Sequence, residues 1–222
     1  GVVTDTQDMS GTVLSEVPEF QVTEEELRAV TESFAGDYMQ VPPMYSALKV
    51  NGKKLYELAR EGKTVERKPR PVHFYEIEIL DIDFPLVRFR VTCSKGTYIR
   101  TLCHDIGEKL GCGAAMETLL RTKVGRFTLD DAITLAQTEE AVRNGEIEQR
   151  ILGIEEILAE YPRVCCTKEG DRLLANGNPL VQALVNAEEK DGWIRMCNSE
   201  GSFAGVYQWD EKRDRYFPVK MF

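Results

Sequence analysis

The chain has 222 residues, 42% of them hydrophobic and 29% charged, the ordinary mix of a globular protein with room for one sizeable domain, or one domain and a small module. A net charge of -9 argues against a general nucleic-acid coat protein, and no apolar run approaches the roughly 20 residues that span a bilayer, so no membrane partner is expected. Cys93, Cys103, Cys112, Cys165, Cys166 and Cys197 form no C-x-x-C pair, and adjacent Cys165-Cys166 starts a disulfide framework poorly, so a reducing, cytoplasmic setting fits better.

In chain order, residues 1–20 read as extended. The polar loop Thr4 to Gly11 carries Asp5 and Asp8, and Thr12, Val13 and Leu14 lead on as a short strand. Two carboxylates three apart in a loop point only weakly to a site, because aspartate also favours turns. Thr23-Glu24-Glu25-Glu26 is a capping box opening a helix with Leu27, Val30 and Phe34 on its core face, which Gly36 is expected to end. Pro42 and Pro43 hold the next stretch extended, Asn51-Gly52 marks a turn, and Leu55, Tyr56, Leu58 and Ala59 form a short helix closing at Gly62. Between positions 49 and 70 lie Lys49, Lys53, Lys54, Arg60, Lys63, Arg67, Lys68 and Arg70 against Glu57, Glu61 and Glu66, a local positive excess in an acidic chain. Residues 45–71 therefore read either as a basic arm standing off the body or as a disordered surface loop.

Residues 72–84 carry Val72, Phe74, Ile77, Ile79 and Ile82 and give a long strand. Pro85 turns it into a second strand over 86–93, an antiparallel pair. Ser94-Lys95-Gly96-Thr97 then turns into a helix over 97–110, with Ile99, Leu102, Ile106 and Leu110 at helical spacing and Thr97 as the expected cap. Arg100 in the first turn opposes the helix dipole by several tenths of a kcal/mol. It is either a surface arginine or one that holds an anion in a cleft. Arg88, Arg90, Lys95, Arg100, Lys109, Arg121, Lys123 and Arg126 form a second basic group. The two groups are either solvated faces or the footprint of a phosphate-rich partner. A further helix is expected over 114–120, a strand by Phe127, and helical, acidic sequence over 133–158. Beyond Pro162, closely spaced glycines and short aromatic runs mark a small β-rich module over 162–222.

Other chemistries fall away. His73 and His104 have no ligand cluster at metal spacing, and no Walker loop, G-x-G-x-x-G or G-x-S-x-G occurs. His104, one helical turn from Arg100, either lines a site or packs. Cys103 reads as a small buried hydrophobe.

These residues resemble one family. Thr4-Asp5-Thr6-x-Asp8-x-x-Gly11, Pro43-Met44-Tyr45-Ser46-Ala47-Leu48-Lys49, Gly52 to Gly62, Cys93 to Thr101, Gly107 to Ala114 and Leu119-x-Arg121-Thr122 match, in order, the bacterial tRNA pseudouridine synthases of the TruB type. Asn176-Gly177-Asn178-Pro179 resembles the entry to that family's C-terminal PUA-like module. The full basic arm favours the bacterial enzymes over their guide-dependent relatives.

The resemblance implies an α+β fold. Residues 1–160 would be the C-terminal part of a pseudouridine-synthase domain, its mixed β-sheet incomplete, with flanking helices and a thumb insertion at about 45–71. Residues 162–222 would be the PUA-like module. It implies isomerisation of uridine 55 in the tRNA T-arm loop by base flipping and an aspartate nucleophile, with no metal or cofactor, in a protein that is monomeric when complete. Arg100 would pair with the catalytic aspartate and Tyr98 would contact the flipped base. Leu119 would pack on that base, Asp8 would hold displaced nucleotides, and Lys95 and Arg121 would contact substrate. Tyr45, Lys49, Lys53, Lys54 and Arg60 would form the thumb over the T-arm. The family's G-x-L-D-P-x-A-x-G motif does not occur in these residues, the one K-x-Y spacing, Lys54-Leu55-Tyr56, falls inside the Gly52 to Gly62 match of the arm and is not the family's base-stacking K-x-Y, and Asp5 and Asp8 match a different motif. The expectation is therefore an isolated chain that lacks the nucleophile and is inactive. The alternative is a non-catalytic T-arm RNA-binding or RNA-chaperone fragment.

Overall fold

Alternating apolar residues build the frame of the first half of the chain. The computed structural model describes residues 1–186 and 190–222, which divide into two compact units, Gly1–Leu129 and Asp130–Phe222.

In the first unit, β1 (Val2–Thr4) and β2 (Val13–Glu16) form an antiparallel hairpin across the Asp5–Asp8 loop. Helix α1 (Glu24–Glu32) starts at the expected capping box: the Glu26 N–H donates to Thr23 Oγ1 at 3.2 Å, and the Thr23 N–H donates to Glu26 Oε2 at 2.8 Å. It stops at Ser33. Gly36, expected as its end, instead opens β3 (Gly36–Gln40) with a left-handed φ of 93°. The arm contains the two-residue strands β4 (Lys49–Val50) and β5 (Lys53–Lys54), then α2 (Leu55–Arg60). Then come β6 (Arg70–Asp83), β7 (Leu86–Cys93), α3 (Ile99–Leu110) and the small hairpin of β8 (Lys123–Val124) and β9 (Phe127–Thr128).

The main sheet has the order β3-β6-β7, all antiparallel. β7 alternates strictly, turning Val87, Phe89, Val91 and Cys93 inward and Leu86, Arg88, Arg90 and Thr92 outward. β6 does not alternate strictly: its inward set shifts phase from Phe74 to Ile77 and again from Ile79 to Ile82. Bulges at Tyr75 and Leu80 absorb one residue each, so Ile77, Ile79 and Ile82 still face Val91, Phe89 and Val87. On the outer face Glu78 accepts from Arg90 at 3.0 Å. Helices α1 and α3 bury Leu27, Leu102 and Ile106 against Phe34, Val72 and Phe74. Each such side chain contributes about 1.5–3 kcal/mol by burial, which fixes α3, and hence its N-terminus, on the sheet.

The helix expected over 114–120 does not form. Gly113 turns the chain with φ 71°, and Met116 bonds to the N-terminal loop instead. Its N–H donates to Gln7 O and its carbonyl accepts from Met9 N–H, both at 3.0 Å. Backbone groups satisfied in this way have no need of a helix.

The second unit opens with α4 (Leu135–Asn144) and α5 (Ile154–Ile157). Strand β10 (Arg163–Cys165), α6 (Asp171–Ala175), β11 (Leu180–Val181), β12 (Trp193–Cys197), β13 (Phe203–Asp210) and β14 (Arg215–Met221) follow. The five strands make one sheet in the order β10-β12-β13-β14-β11 around buried Val164, Leu180, Ile194, Met196, Tyr207 and Tyr216. The helical, acidic stretch up to residue 160, expected in the first domain, belongs to this unit. Arg195 binds it there: its guanidinium donates to the carbonyls of Tyr161 at 2.8 Å and Glu155 at 3.4 Å, while Glu155 also pairs with Arg163 at 2.7 Å.

Candidate functional site

The first turn of α3 is where the sequence motifs meet. β7 delivers the chain into the turn at Ser94, whose N–H donates to the His73 carbonyl at 2.8 Å. Gly96 takes φ 83°, open to a residue without a Cβ. Thr97 is not the cap. Its hydroxyl donates back to the Ser94 carbonyl at 2.8 Å, closing the turn on itself, and Tyr98 is the N-cap, extended at φ -103° and without a side-chain cap. Gln40, at the end of β3, grips Tyr98 instead. The Tyr98 N–H donates to Gln40 Oε1 at 2.8 Å, and Gln40 Nε2 donates to the Tyr98 carbonyl at 3.1 Å.

Arg100 meets an anion, as its place at the positive end of a helix requires. Its Nη1 donates to Asp8 Oδ2 at 2.9 Å, with 28% and 17% of the two side chains exposed. Asp8 is held from both sides. Its Oδ1 accepts from Thr6 Oγ1 at 2.9 Å, from the Ser10 N–H at 3.1 Å and from the Ser10 hydroxyl. The Thr4 hydroxyl ties down the Asp8 carbonyl at 2.7 Å. Burial works to raise the Asp8 carboxyl, but the Ser10 and Thr6 bonds and the Arg100 charge outweigh it and hold the pKa below its ordinary value of 3.8. Next to Asp8, Gln7 adopts a left-handed φ of 64° and accepts at Oε1 from buried Thr101 at 2.7 Å. One loop thus holds successive residues of α3: Asp8 takes Arg100, and Gln7 takes Thr101.

The structure pairs Arg100, expected beside the catalytic aspartate, with Asp8, and Tyr98 precedes it by two residues at the N-cap of α3. Leu119, 57% exposed, and exposed Arg121 follow the Met116 bridge along the chain, and Lys95 is exposed in the turn. In the arm, Ser46 and Leu55 are buried. The Tyr45 hydroxyl donates to Asp5 Oδ2 at 3.5 Å, and Arg67 Nη1 donates to the Pro42 carbonyl at 3.0 Å. The arm is thus tied at its root. Farther out, Lys53 lies 3.4 Å from Glu61, Lys54 donates to the Tyr56 hydroxyl at 3.2 Å, Arg60 stacks over the Tyr56 ring, and Lys49 pairs with Lys54 across the hairpin. Those cations line one short hairpin-and-helix element.

Two neighbours of the site are passive. Burial pushes the Cys103 thiol up to about 12, far from a thiolate at neutral pH. Burial, then the bond to Asp105, pushes the Tyr38 phenol to about 12; that bond is 2.9 Å long, and burial also raises Asp105. Among the described residues no group of three or more His, Cys, Asp and Glu side chains could hold a metal ion, and no helix is long and apolar enough to cross a membrane.

Gln40, Gln7 and Met116 stand out by no motif or spacing, and Thr101 only as the end of the Cys93 to Thr101 match. The strand that ends in Gln40 is short and half polar, so it leaves no periodic signal, and a buried amide reveals its partner only in three dimensions.

Residues 1–99 match the model of the TruB family pseudouridylate synthase N-terminal domain, and residues 100–159 match that of the tRNA pseudouridylate synthase B C-terminal domain. The chain is 48% identical over 205 residues to tRNA pseudouridine synthase B of Lachnoclostridium phytofermentans, covering 86% of this chain and 66% of that protein. It is 50% identical over 177 residues to that of Clostridium novyi, covering 80% and 60%, and 42% identical over 208 residues to that of Clostridium tetani, covering 94% and 71%. The chain thus spans less than two thirds of the length of the first two of these relatives. Among solved structures, a Cbf5-Nop10-Gar1 complex aligns with a TM-score of 0.64 at 23% identity, over 91% of this chain and 63% of that one, a likeness of fold.

Proposed function

Because the chain belongs to the TruB family of pseudouridylate synthases, we propose that it forms part of a tRNA pseudouridine synthase, acting on uridine 55 of the T-arm loop. The observation that carries this reading is the Arg100–Asp8 pair at the N-terminus of α3, built from two of the family's own motifs. Arg100 presents a fork of five N–H donors, of which the Asp8 bond uses one, so the guanidinium retains capacity for a second carboxylate. That second carboxylate is the nucleophile. No G-x-L-D-P stretch occurs in these 222 residues, and we assign the nucleophile to sequence outside them.

In this reading the target uridine leaves the T-loop stack and enters the pocket beside α3. Tyr98 contacts the extruded base and Leu119 packs on it. The aspartate attacks, the bond from ribose to base breaks, the uracil turns, its C5 is joined to the ribose as the aspartate leaves, and C5 gives up its proton while N1 takes one up, an isomerisation with no net change of atoms. Asp8 anchors Arg100 and faces the displaced nucleotides, while Lys95 and Arg121 meet the RNA backbone. The arm is the thumb, with Tyr45 at its root and Lys49, Lys53, Lys54 and Arg60 meeting phosphates of the T-arm. The five-stranded unit serves as a PUA-like RNA contact, and the complete protein works as a cytoplasmic monomer.

The absence of the G-x-L-D-P motif favours a second reading, a T-arm binding module without chemistry. One assay separates them: pseudouridine formation on a T-arm stem-loop by this chain, alone and with a separately made segment carrying G-x-L-D-P. Activity in the mixture only is the expected result. RNA bound without turnover in either case would favour the binding module, and turnover by the chain alone would overturn the assignment of the nucleophile.

A further inference from the structure

We propose that Gln40 is a positioning residue for the reaction: its buried side-chain amide sets the backbone of Tyr98, and through it the place of Arg100 beside Asp8. The catalytic part of this inference rests on the function proposed above; the structural part does not.

Gln40 is 1% exposed, although it is polar and closes a strand at the sheet edge. Its backbone pairs with Arg70 on β6, so its Cα is fixed by the sheet. Both functional groups of its amide go to a single residue, taking the Tyr98 N–H at 2.8 Å and giving to the Tyr98 carbonyl at 3.1 Å. The side chain thus acts as one more strand residue, bridging to a backbone that no strand reaches. The same Tyr98 carbonyl accepts the first bond of α3, from the Leu102 N–H at 3.1 Å. Tyr98 is an N-cap without a side-chain cap, and Gln40 takes its backbone N–H as the N3 side chain of a capping box does elsewhere.

The consequence lies two residues on. The dihedrals of Tyr98 decide where Ile99 and Arg100 leave the turn, and Arg100 must reach Asp8, which its own loop holds still. The first turn of α3 is therefore gripped on two sides, by Gln40 at Tyr98 and by Asp8 and Gln7 at Arg100 and Thr101. Only a group with a donor and an acceptor side by side satisfies both Tyr98 atoms. A carboxylate in the same place would set an oxygen against the Tyr98 carbonyl, but a protonated carboxyl would restore the pattern.

The test uses Gln40→Leu and Gln40→Glu in the natural protein containing this chain, with amide hydrogen exchange at Tyr98, carboxyl-carbon NMR titration of Asp8, and turnover on a T-arm stem-loop. In Gln40→Leu, Tyr98 exchange is expected to rise about tenfold or more while the Phe74 and Ile106 amides, which do not bond to Tyr98, stay protected. The Asp8 titration should move up towards its ordinary value, and kcat should fall about tenfold with KM within about threefold. In Gln40→Glu, burial raises the new carboxyl's pKa, and Tyr98 protection should return as the pH falls through it. Unchanged Tyr98 exchange and Asp8 titration in both variants would overturn the proposal. Should Gln40→Leu not fold, the pH dependence of Tyr98 protection in Gln40→Glu decides alone. A wild-type protein without turnover would refute the proposed function and leave the exchange and titration results to decide the role of Gln40.

Discussion

Asp8 and Asp105 respond to acid in opposite senses. The Asp8 pKa lies below 3.8 in the folded protein, so the stability Asp8 contributes is complete above pH 3.8 and is lost as pH falls through the lowered value. Asp105 is raised, so folding favours its protonated form and stability falls as pH rises from 3.8 through the raised value. Asp8→Asn should flatten the acid limb of a plot of melting temperature against pH. Asp105→Asn keeps an acceptor for the Tyr38 hydroxyl and should raise the melting temperature at pH 7 by about 2–4 °C; a drop there would show that the carboxylate stabilises the fold. At this scale the sequence was only half legible. The oddity of a cation at the start of a helix pointed to an anion for Arg100. Which anion the structure supplies, Asp8, could not be read from a spacing of 92 positions.

Helix α3 and the segment after it show how an element departs from its pattern. Gly107 lies inside a helix, where alanine is ordinarily favoured by roughly 1 kcal/mol. Here a Cβ would stand 2.1 Å from the Ala114 nitrogen and 2.3 Å from the Gly113 carbonyl carbon, both backbone atoms. Gly107→Ala is thus expected to destabilise by about 1–3 kcal/mol, measured by denaturant unfolding, and to loosen the Met116 bridge to the Asp8 loop; a stabilised variant would contradict this packing. Leu102→Ala, at a fully buried core position, should cost about 2–5 kcal/mol. The strands of the main hairpin were legible because burial on one face forces period two, and even the bulges left a trace in the jumps from Phe74 to Ile77 and from Ile79 to Ile82. The helix expected over 114–120 failed because the partners of its backbone lie more than 100 residues away in the loop of Gln7 and Met9. β3 was missed because Gly36 can equally end a helix or open a strand.

Across the whole molecule, charge is divided against the net balance. The chain carries -9, yet the arm is basic, and the sequence alone disclosed that segregation because it is a local excess. The sequence could not disclose that Glu61 lies against Lys53 and Lys63, which tempers the arm's field. Replacing Lys53, Lys54 and Arg60 by glutamate should weaken binding to a T-arm stem-loop and lower the slope of log affinity against log salt by about 0.7–0.9 for each phosphate that is no longer neutralised; unchanged affinity and slope would remove the arm from the RNA interface. The unit boundary at Leu129 and Asp130 was also hidden, since the clamp of Arg195 on Tyr161 and Glu155 joins residues far apart in sequence. In the proposed function Arg100, fixed by Asp8, orients the nucleophile of a uridine isomerase. The most direct measurement is pseudouridine formed per T-arm RNA by the natural protein containing this chain, compared with its Arg100→Met variant. The prediction is conversion of a single T-loop uridine by the wild type, and a loss of about a hundredfold or more in the variant with RNA affinity within about threefold. Near-normal turnover by Arg100→Met would contradict the account.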